Sequence, residues 1–501
     1  MMIRRLVPLI FLGLLLAAPH TVPDALGAGP PLLAQAESDE DLTSGFDDGE
    51  EEQGGKKVDD DDLSSGFDDA PEGKDAGAET AAKPSFWQLN GFLRMDGSYN
   101  YAHKAPAAGE TDHRGLSKLR AALRLELSLK LGGSWKSKVS GQAFHDFAYG
   151  LNGREQYTTE VLESREQEAE LREAYVEGSL FENMDLKLGR QIVVWGKSDN
   201  IQVTDVLNPV DNREPGLVDI ADIRLPVTMT RLDYFFGDWQ LTVLAVHEIR
   251  FSKNPVFGSD FFPFPSRPPP EVIPSDGGEN TEFGLALGAT LPGFDLAFYA
   301  ARFFDDTPHT VLLSGNRETC FVFPGSCRLE LRHSRLTMGG AAINVASGNW
   351  LWKVEGAHFS GLEFFNLPGR TLSRVDLLVG FEYSGFTDTT LSIEAVDRHL
   401  LNFDPILENP PDGAQEDVNQ YVLAYRADLL RQQLHVLAVA VFFGGEAEKG
   451  SLQRYSATYD WFEAFSVTGG VVLYSPGDGS NFLLQGAKDN DRFFLEAKYS
   501  F

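Results

Sequence analysis

From Trp87 onward the chain alternates. In FWQLNGFLRMDGSYNYA an apolar or small set (Trp87, Leu89, Gly91, Leu93, Met95, Gly97, Tyr99, Tyr101) is interleaved with Gln88, Asn90, Arg94, Asp96, Ser98 and Asn100. The next segment is cleaner: Leu119, Ala121, Leu123, Leu125, Leu127, Leu129 and Leu131 alternate with Lys118, Arg120, Arg124, Glu126, Ser128 and Lys130. A period of two sends successive side chains to opposite faces, whereas a helix would spread these leucines around its whole cylinder. The pattern predicts strands, and at about a dozen residues each they exceed the usual length of about five or six.

The same alternation predicts strands near 87–101, 118–131, 135–148, 170–181, 184–194, 224–236, 239–250, 281–291 and 293–304. It continues near 332–346, 349–360, 372–384, 389–400, 418–430, 432–443, 452–461, 464–474 and 491–501. That makes about 18 strands, within a range of 16–18. Short turns (LGGSW, FENMD, FGDW, LPGFD, ASGNW, SGFTD, LLRQQ) alternate with long segments such as 195–223, 251–280 and 305–331. A soluble sandwich has no reason to sort loop length by parity; an all-β, transmembrane antiparallel β-barrel does, with turns on the periplasmic rim and loops outside. Trp87, Trp135, Trp239, Trp350, Trp352 and Trp461 all fall at strand ends beside the short turns, and only Trp195 does not. Trp favours the membrane–water boundary, so these six predict an aromatic girdle at one level. Apolar faces would then meet outer-membrane lipids, and polar faces a wet lumen. The closing stretch DRFFLEAKYSF alternates up to Phe501 (Phe494 is the one exception), as a strand paired on both sides in a closed cylinder would.

Charge changes the picture at the other end. The net charge of −31 argues against nucleic-acid binding, which needs a basic surface. Between Glu37 and Glu79, 18 Asp or Glu face three Lys, a composition that predicts a disordered acidic tail over 37–84 ahead of the barrel at 85–501. Residues 1–36 read as a signal peptide: MMIRR is basic, LVPLIFLGLLLAA is apolar, and Ala34-Gln35-Ala36 offers a cleavage site. A retained membrane anchor is the alternative. Within the tail, DLTSGFDD at 41–48 returns as DLSSGFDD at 62–69. Leu42, Phe46, Asp47 and Asp48, with Leu63, Phe67, Asp68 and Asp69, form a candidate tandem docking motif for a periplasmic partner; tandem copies raise effective concentration. A solubilising spacer is the plainer alternative.

Cys320 and Cys327, in CFVFPGSC, fit a local disulfide in an exported chain and match no zinc spacing. No HExxH, GxSxG or phosphate-binding glycine loop is present, the ten His are scattered, and the acidic runs lack EF-hand spacing. The chain is therefore expected to be no enzyme and to carry neither metal nor cofactor, although a Ser, a His and an acid gathered from separate strands would leave no motif.

The largest irregularity inside the barrel is GRQIVVWGKSDNIQVTDVLNPVDNREPG. Arg190, Trp195, Lys197, Asp199, Asp205, Asp211 and Arg213 make it a candidate constriction loop, since a segment of this length is often functional. The alternative is an extracellular loop without a role in permeation. The strand near 432–443 is apolar on both faces, either because an inward loop packs there or because a greasy cargo passes. The spacing of Gly189, Arg190, Gln191, Trp195, Gly196, Asn208, Pro209 and Asp211 resembles the signature GRQ-x-x-x-WG…NP-x-D of an uncharacterised family of bacterial outer-membrane barrels, a domain of unknown function (DUF1302). Its members are often associated with RND-type (MMPL-like) transporters thought to move lipids or hydrophobic molecules. The resemblance thus implies a conduit working with such a transporter; a passive solute porin with an inward-folded third loop is the alternative. The last residues also resemble the C-terminal signal of outer-membrane proteins, whose final Phe, here Phe501, is read by the barrel-assembly machinery.

Overall fold

The computed structural model describes residues 86–107, 109–218, 223–317, 319–320, 325–477 and 482–501. The signal segment, the acidic tail and both copies of its repeat lie outside the described residues.

Eighteen strands close into one antiparallel sheet. In chain order they are β1 Trp87–Asn100, β2 Gly115–Gly132, β3 Trp135–Asp146, β4 Gln167–Phe181, β5 Met184–Gln191 and β6 Val227–Phe236. Then come β7 Trp239–Val246, β8 Glu282–Leu291, β9 Phe294–Phe304, β10 Arg335–Ser347, β11 Trp350–Glu363 and β12 Thr371–Phe386. The last six are β13 Thr389–Leu401, β14 Asp417–Leu429, β15 Leu434–Phe443, β16 Ser451–Phe462, β17 Phe465–Ser475 and β18 Arg492–Ser500. Each strand pairs with its neighbours in sequence, and β18 pairs back onto β1 from Phe92↔Ser500 to Asn100↔Arg492. Gly91 and Phe501 exchange backbone hydrogen bonds of 2.8 and 2.9 Å, which carries the seam to the rim. No backbone edge is left open along that seam.

Alternation places a band of bare apolar side chains on the outer wall, among them Leu93, Met95, Leu125, Val243, Leu285, Phe298, Leu377, Val379 and Leu495. A continuous belt of this kind is tolerable in hydrocarbon and would aggregate in water. At the short-turn rim Trp87, Phe181, Phe236, Trp350, Trp352, Phe386, Trp461 and Phe462 are exposed, which is the aromatic girdle. Trp195 belongs to neither group: it is buried inside the barrel, its ring 5.1 Å from that of Tyr299.

Three neighbouring strands fall three or four residues short of the alternation. β5 stops at Gln191 rather than 194, β6 starts at Val227 rather than 224, and β7 stops at Val246 rather than 250. The reason is the connection between β5 and β6 (residues 192–226, here L3), which leaves the wall early and folds inward. The connection between β3 and β4 carries two short helices, α1 (Ala148–Asn152) and α2 (Thr159–Arg165); the hydroxyl of Thr158 caps α2 by accepting from the Val161 amide. Over the long-loop rim, residues 271–272, 309–314 and 328–332 form a small three-stranded sheet, and a disulfide joins Cys320 to Cys327 beside it.

Candidate functional site: a lumen divided by the third loop

L3 departs at a position only glycine suits. Gly189 has φ +123°, and a Cβ there would stand 2.2 Å from the Ala174 carbonyl oxygen. Gln191 is fully buried and donates to the Met229 carbonyl at 3.2 Å. Asn208 then ties the loop's two ends together: its oxygen accepts from the Val193 amide (2.8 Å) and its nitrogen donates to the Leu225 carbonyl (2.9 Å). The Pro209 carbonyl accepts from the Leu225 amide at 2.7 Å. Asp205 accepts from the Trp195 amide (3.3 Å) and pairs with Arg224 at 2.8 Å.

One side of the lumen is dry. Trp195, Ile201, Val203 and Leu207 from L3 are buried in a single cluster with Met338, Phe359, Leu378, Val422 and Val439 from the inner wall. Side chains of this size contribute about 1.5–3 kcal/mol each when fully buried. The second apolar face of β15 is therefore covered by the loop rather than bared to a passage. Two carboxylates on this wall grip the loop's tip. Glu355, on β11, accepts from the Lys197 and Ser198 amides (the latter at 2.7 Å) and from the Thr204 hydroxyl at 3.1 Å. Glu394, on β13, accepts from the amides of Asp199 (2.8 Å) and Asn200 (3.0 Å) and from the Ser198 hydroxyl (3.1 Å). Gly196, at φ +88°, lets the chain approach: a Cβ would lie 2.7 Å from the Glu355 carboxylate. Successive amides converging on an oxyanion form a nest, and here the anion is supplied by the barrel itself. Lys353 pairs with Asp199 beside it.

The other side is charged and holds a cavity of about 180 Å³ between L3, strands β1–β4 and strands β16–β18. L3 is tied across it by ions. Glu214 reaches Lys118 (2.6 Å) and Arg120 (3.1 Å) on β2. Burial alone would raise the Glu214 carboxyl, but Arg120 and Lys118 outweigh it and hold it well below the usual carboxylate range. Arg213 pairs with Asp211 (2.5 Å) and with Glu168 (2.8 Å) on β4. Above the cavity, Asp260 joins Arg165 of α2 (2.8 Å) to Arg492 of β18 (2.9 Å). Burial opposes ionisation there too, and the two guanidinium groups keep Asp260 charged.

The seven loop residues singled out from the sequence are thus split. Trp195, Lys197, Asp199 and Asp205 belong to the dry side, Asp211 and Arg213 line the charged cavity, and Arg190 stays at the wall beside Glu248 and 3.6 Å from Glu170. Sequence reasoning missed Glu355 and Glu394, and it did not single out Glu214 among the loop's charges. A signal existed for the first two: Glu355 precedes the inward Ala357 and Phe359, and Glu394 precedes the inward Val396. A buried carboxylate next to apolar inward positions calls for hydrogen-bond donors to cover it.

The residues that resemble the family signature are those that turn L3 off the wall, seat it and tie its ends. The family described as "Protein of unknown function (DUF1302)" matches residues 95–501. The chain belongs to that family. No curated protein matches it. Solved structures it resembles include Acinetobacter baumannii OccAB2, at 10% identity and TM-score 0.49, covering 84% of this chain and 99% of the other. Pseudomonas aeruginosa OccK2 (OpdF), solved in complex with glucuronate, is 11% identical with TM-score 0.47, over 83% and 98%. Vibrio cholerae OmpT, an outer membrane protein in trimer form, is 12% identical with TM-score 0.40, over 83% and 99%.

Proposed function

We propose that this family member is an outer-membrane channel for small polar solutes, held narrow by L3. The observation that supports it above all is the division of the lumen. L3 is fastened to the apolar wall by buried carboxylates and a shared core, and the space left beside it is lined by charge. A conduit for lipids or other hydrophobic cargo would use the apolar inner wall, which L3 covers; that function requires the loop to leave. A periplasmic partner, an RND-type transporter included, rests on the tail's repeat, and a pull-down with peptide 37–80 against its Phe46→Ala/Phe67→Ala form tests it: equal recovery removes the docking idea. Recognition of Phe501 by the assembly machinery stands as part of the same outer-membrane proposal.

The test is single-channel recording of the purified full chain in planar bilayers. Small, steady conductance steps are expected, and Glu355→Ala/Glu394→Ala should enlarge them about threefold or more by freeing the loop, since each lost hydrogen bond to a charged group is worth about 1.5–3 kcal/mol. Absence of steps in both proteins would overturn the channel.

A further inference from the structure

On the outer wall, the apolar belt gives way to positive charge near the long-loop rim of β8–β10. On β9, Ala301 and Phe303 point inward and are buried, while Arg302 between them is exposed and points to the membrane. It stands opposite Phe283 of β8 on one side and Thr337 of β10 on the other. At the next outward pair Arg335 stands opposite Phe304. The Arg335 guanidinium lies over the Phe304 ring, 4.6 Å from its centroid, and donates to the carbonyls of Asn280 (3.2 Å) and Thr281 (2.6 Å). A ring face and neutral carbonyls fix a cation in place and leave its charge whole. Among the described residues no carboxylate pairs with either arginine. Glu279, in the loop above, offers Arg335 only its backbone carbonyl at 3.4 Å. Glu282 is buried behind the wall and accepts from the Phe304 amide at 2.7 Å.

The two cations stand at the level of a lipid headgroup. From Phe294 at the short-turn rim to Arg302 and Phe304, β9 climbs about 20–25 Å, at about 3.4 Å per residue and a tilt of about 35–45°. The apolar band of such a barrel is about 25 Å tall, so the pair lies at its upper edge. Below it, Phe283, Leu285 and Phe298 are exposed on the same face, and a Cβ at Gly339 would meet open space. Toward the same rim of β13 and β14 the outward positions are acidic instead: Asp397, opposite the outward Leu377, and Asp417, paired with His399 at 2.6 Å. An ionisable group that faces the membrane calls for a partner of opposite charge.

We propose that the outward face of β8–β10 binds one acylated phospholipid or phosphoglycolipid of the outer leaflet, its phosphate held between Arg302 and Arg335 beside the Thr337 hydroxyl. Its acyl chains run down over Phe283, Leu285 and Phe298. Guanidinium groups match phosphate oxygens in a two-pronged, charge-assisted geometry, and basic sites at a membrane surface recognise phosphorylated headgroups in this way. The site rests on the barrel's place in the outer membrane and not on the channel proposed above.

The test uses the full chain in detergent micelles doped with diphosphoryl lipid A, read by native mass spectrometry. Saturable retention of one lipid per barrel is expected, weakened about tenfold or more by Arg302→Gln and by Arg335→Gln, as the loss of charge-assisted hydrogen bonds requires. Arg302→Lys should fall between, and Arg114→Gln, in an exposed loop, should leave retention unchanged; heat-shifted gel mobility confirms that each variant is a folded barrel. Inorganic phosphate at millimolar concentration should not displace the lipid. Equal retention of dephosphorylated lipid A, indifference to both Gln variants, or equal weakening by Arg114→Gln would overturn the site. Displacement by inorganic phosphate alone would reveal a free-phosphate site and overturn the lipid assignment.

Discussion

Two arcs of one cylinder obey the same rule on the outside and opposite rules on the inside. Along both, every second side chain is apolar and faces outward. On the dry arc the inward side chains include Met229, Leu244, Met338, Leu378, Val422 and Val439, each at most 1% exposed. On the wet arc they are Arg94, Asp96, Lys118, Arg120, Glu126 and Lys138, paired across strands by ions such as Lys138–Glu126 at 3.0 Å. Closure is indifferent to this difference, because both arcs complete the same hydrogen-bond ladder. The loop is not. An apolar inner face in contact with water loses the burial energy that a covering segment supplies, so L3 lies where the wall is greasy and leaves open the arc that hydrates itself.

The comparison can be broken at its latch. Glu355→Ala/Glu394→Ala removes the acceptors of the loop's tip and should cost about 4 kcal/mol or more of local stability. Conductance should rise while the outer barrel stays folded, as read by gel mobility. The double Gln variant keeps acceptor oxygens and should fall between. Next in size is Trp195→Ala, which leaves a hole in the dry arc and should cost about 3–5 kcal/mol. Noisier, larger conductance steps with unchanged ion selectivity are expected, because no wet-arc charge moves; a selectivity change would count against the partition.

The two faces of a single strand sharpen the contrast. Leu377 is 55% exposed and faces outward, whereas the adjacent Leu378 is fully buried against the plug side. Leu377→Arg puts a charge into lipid, at about 2–4 kcal/mol near the bilayer midplane, and should lower the yield of assembled barrel. Leu378→Ala should assemble normally and disturb the loop alone.

The smallest effect concerns the rim. Burial pushes Asp306 up to about 6, even though it accepts from the Ser252 amide at 2.9 Å. Its folded value lies above the unfolded carboxylate value of about 3.9. The folded form therefore binds the proton more tightly, and this group's contribution to stability grows as pH falls through about 6 toward 4. Hydrogen exchange around Ser252 should slow over that window, and Asp306→Asn should flatten the response.

The barrel was legible because lipid and water enforce a period of two on every strand, and β1, β2 and β18 display it almost without exception. The errors gather around residues 190–250. There the chain's path depends on Gly189's left-handed backbone and on acceptors far away in sequence: Glu355 lies 157 residues from Ser198, and Glu394 lies 195 from Asp199. No local pattern encodes such a pairing. The charged residues of L3 were visible, but their division between a dry arc and a wet cavity was not, because it depends on which wall each one meets. The helices α1 and α2 were missed for a related reason: at five and seven residues they are too short to show a helical period.

The central claim is that L3 lies sealed inside the lumen. The chain's two cysteines are joined to each other, so an engineered thiol would be the only free one. Labelling Val203→Cys on intact cells with a membrane-impermeant methanethiosulfonate tests the claim most directly. Refractory behaviour is expected, with labelling appearing when Glu355→Ala/Glu394→Ala is added; rapid labelling of Val203→Cys alone would contradict it.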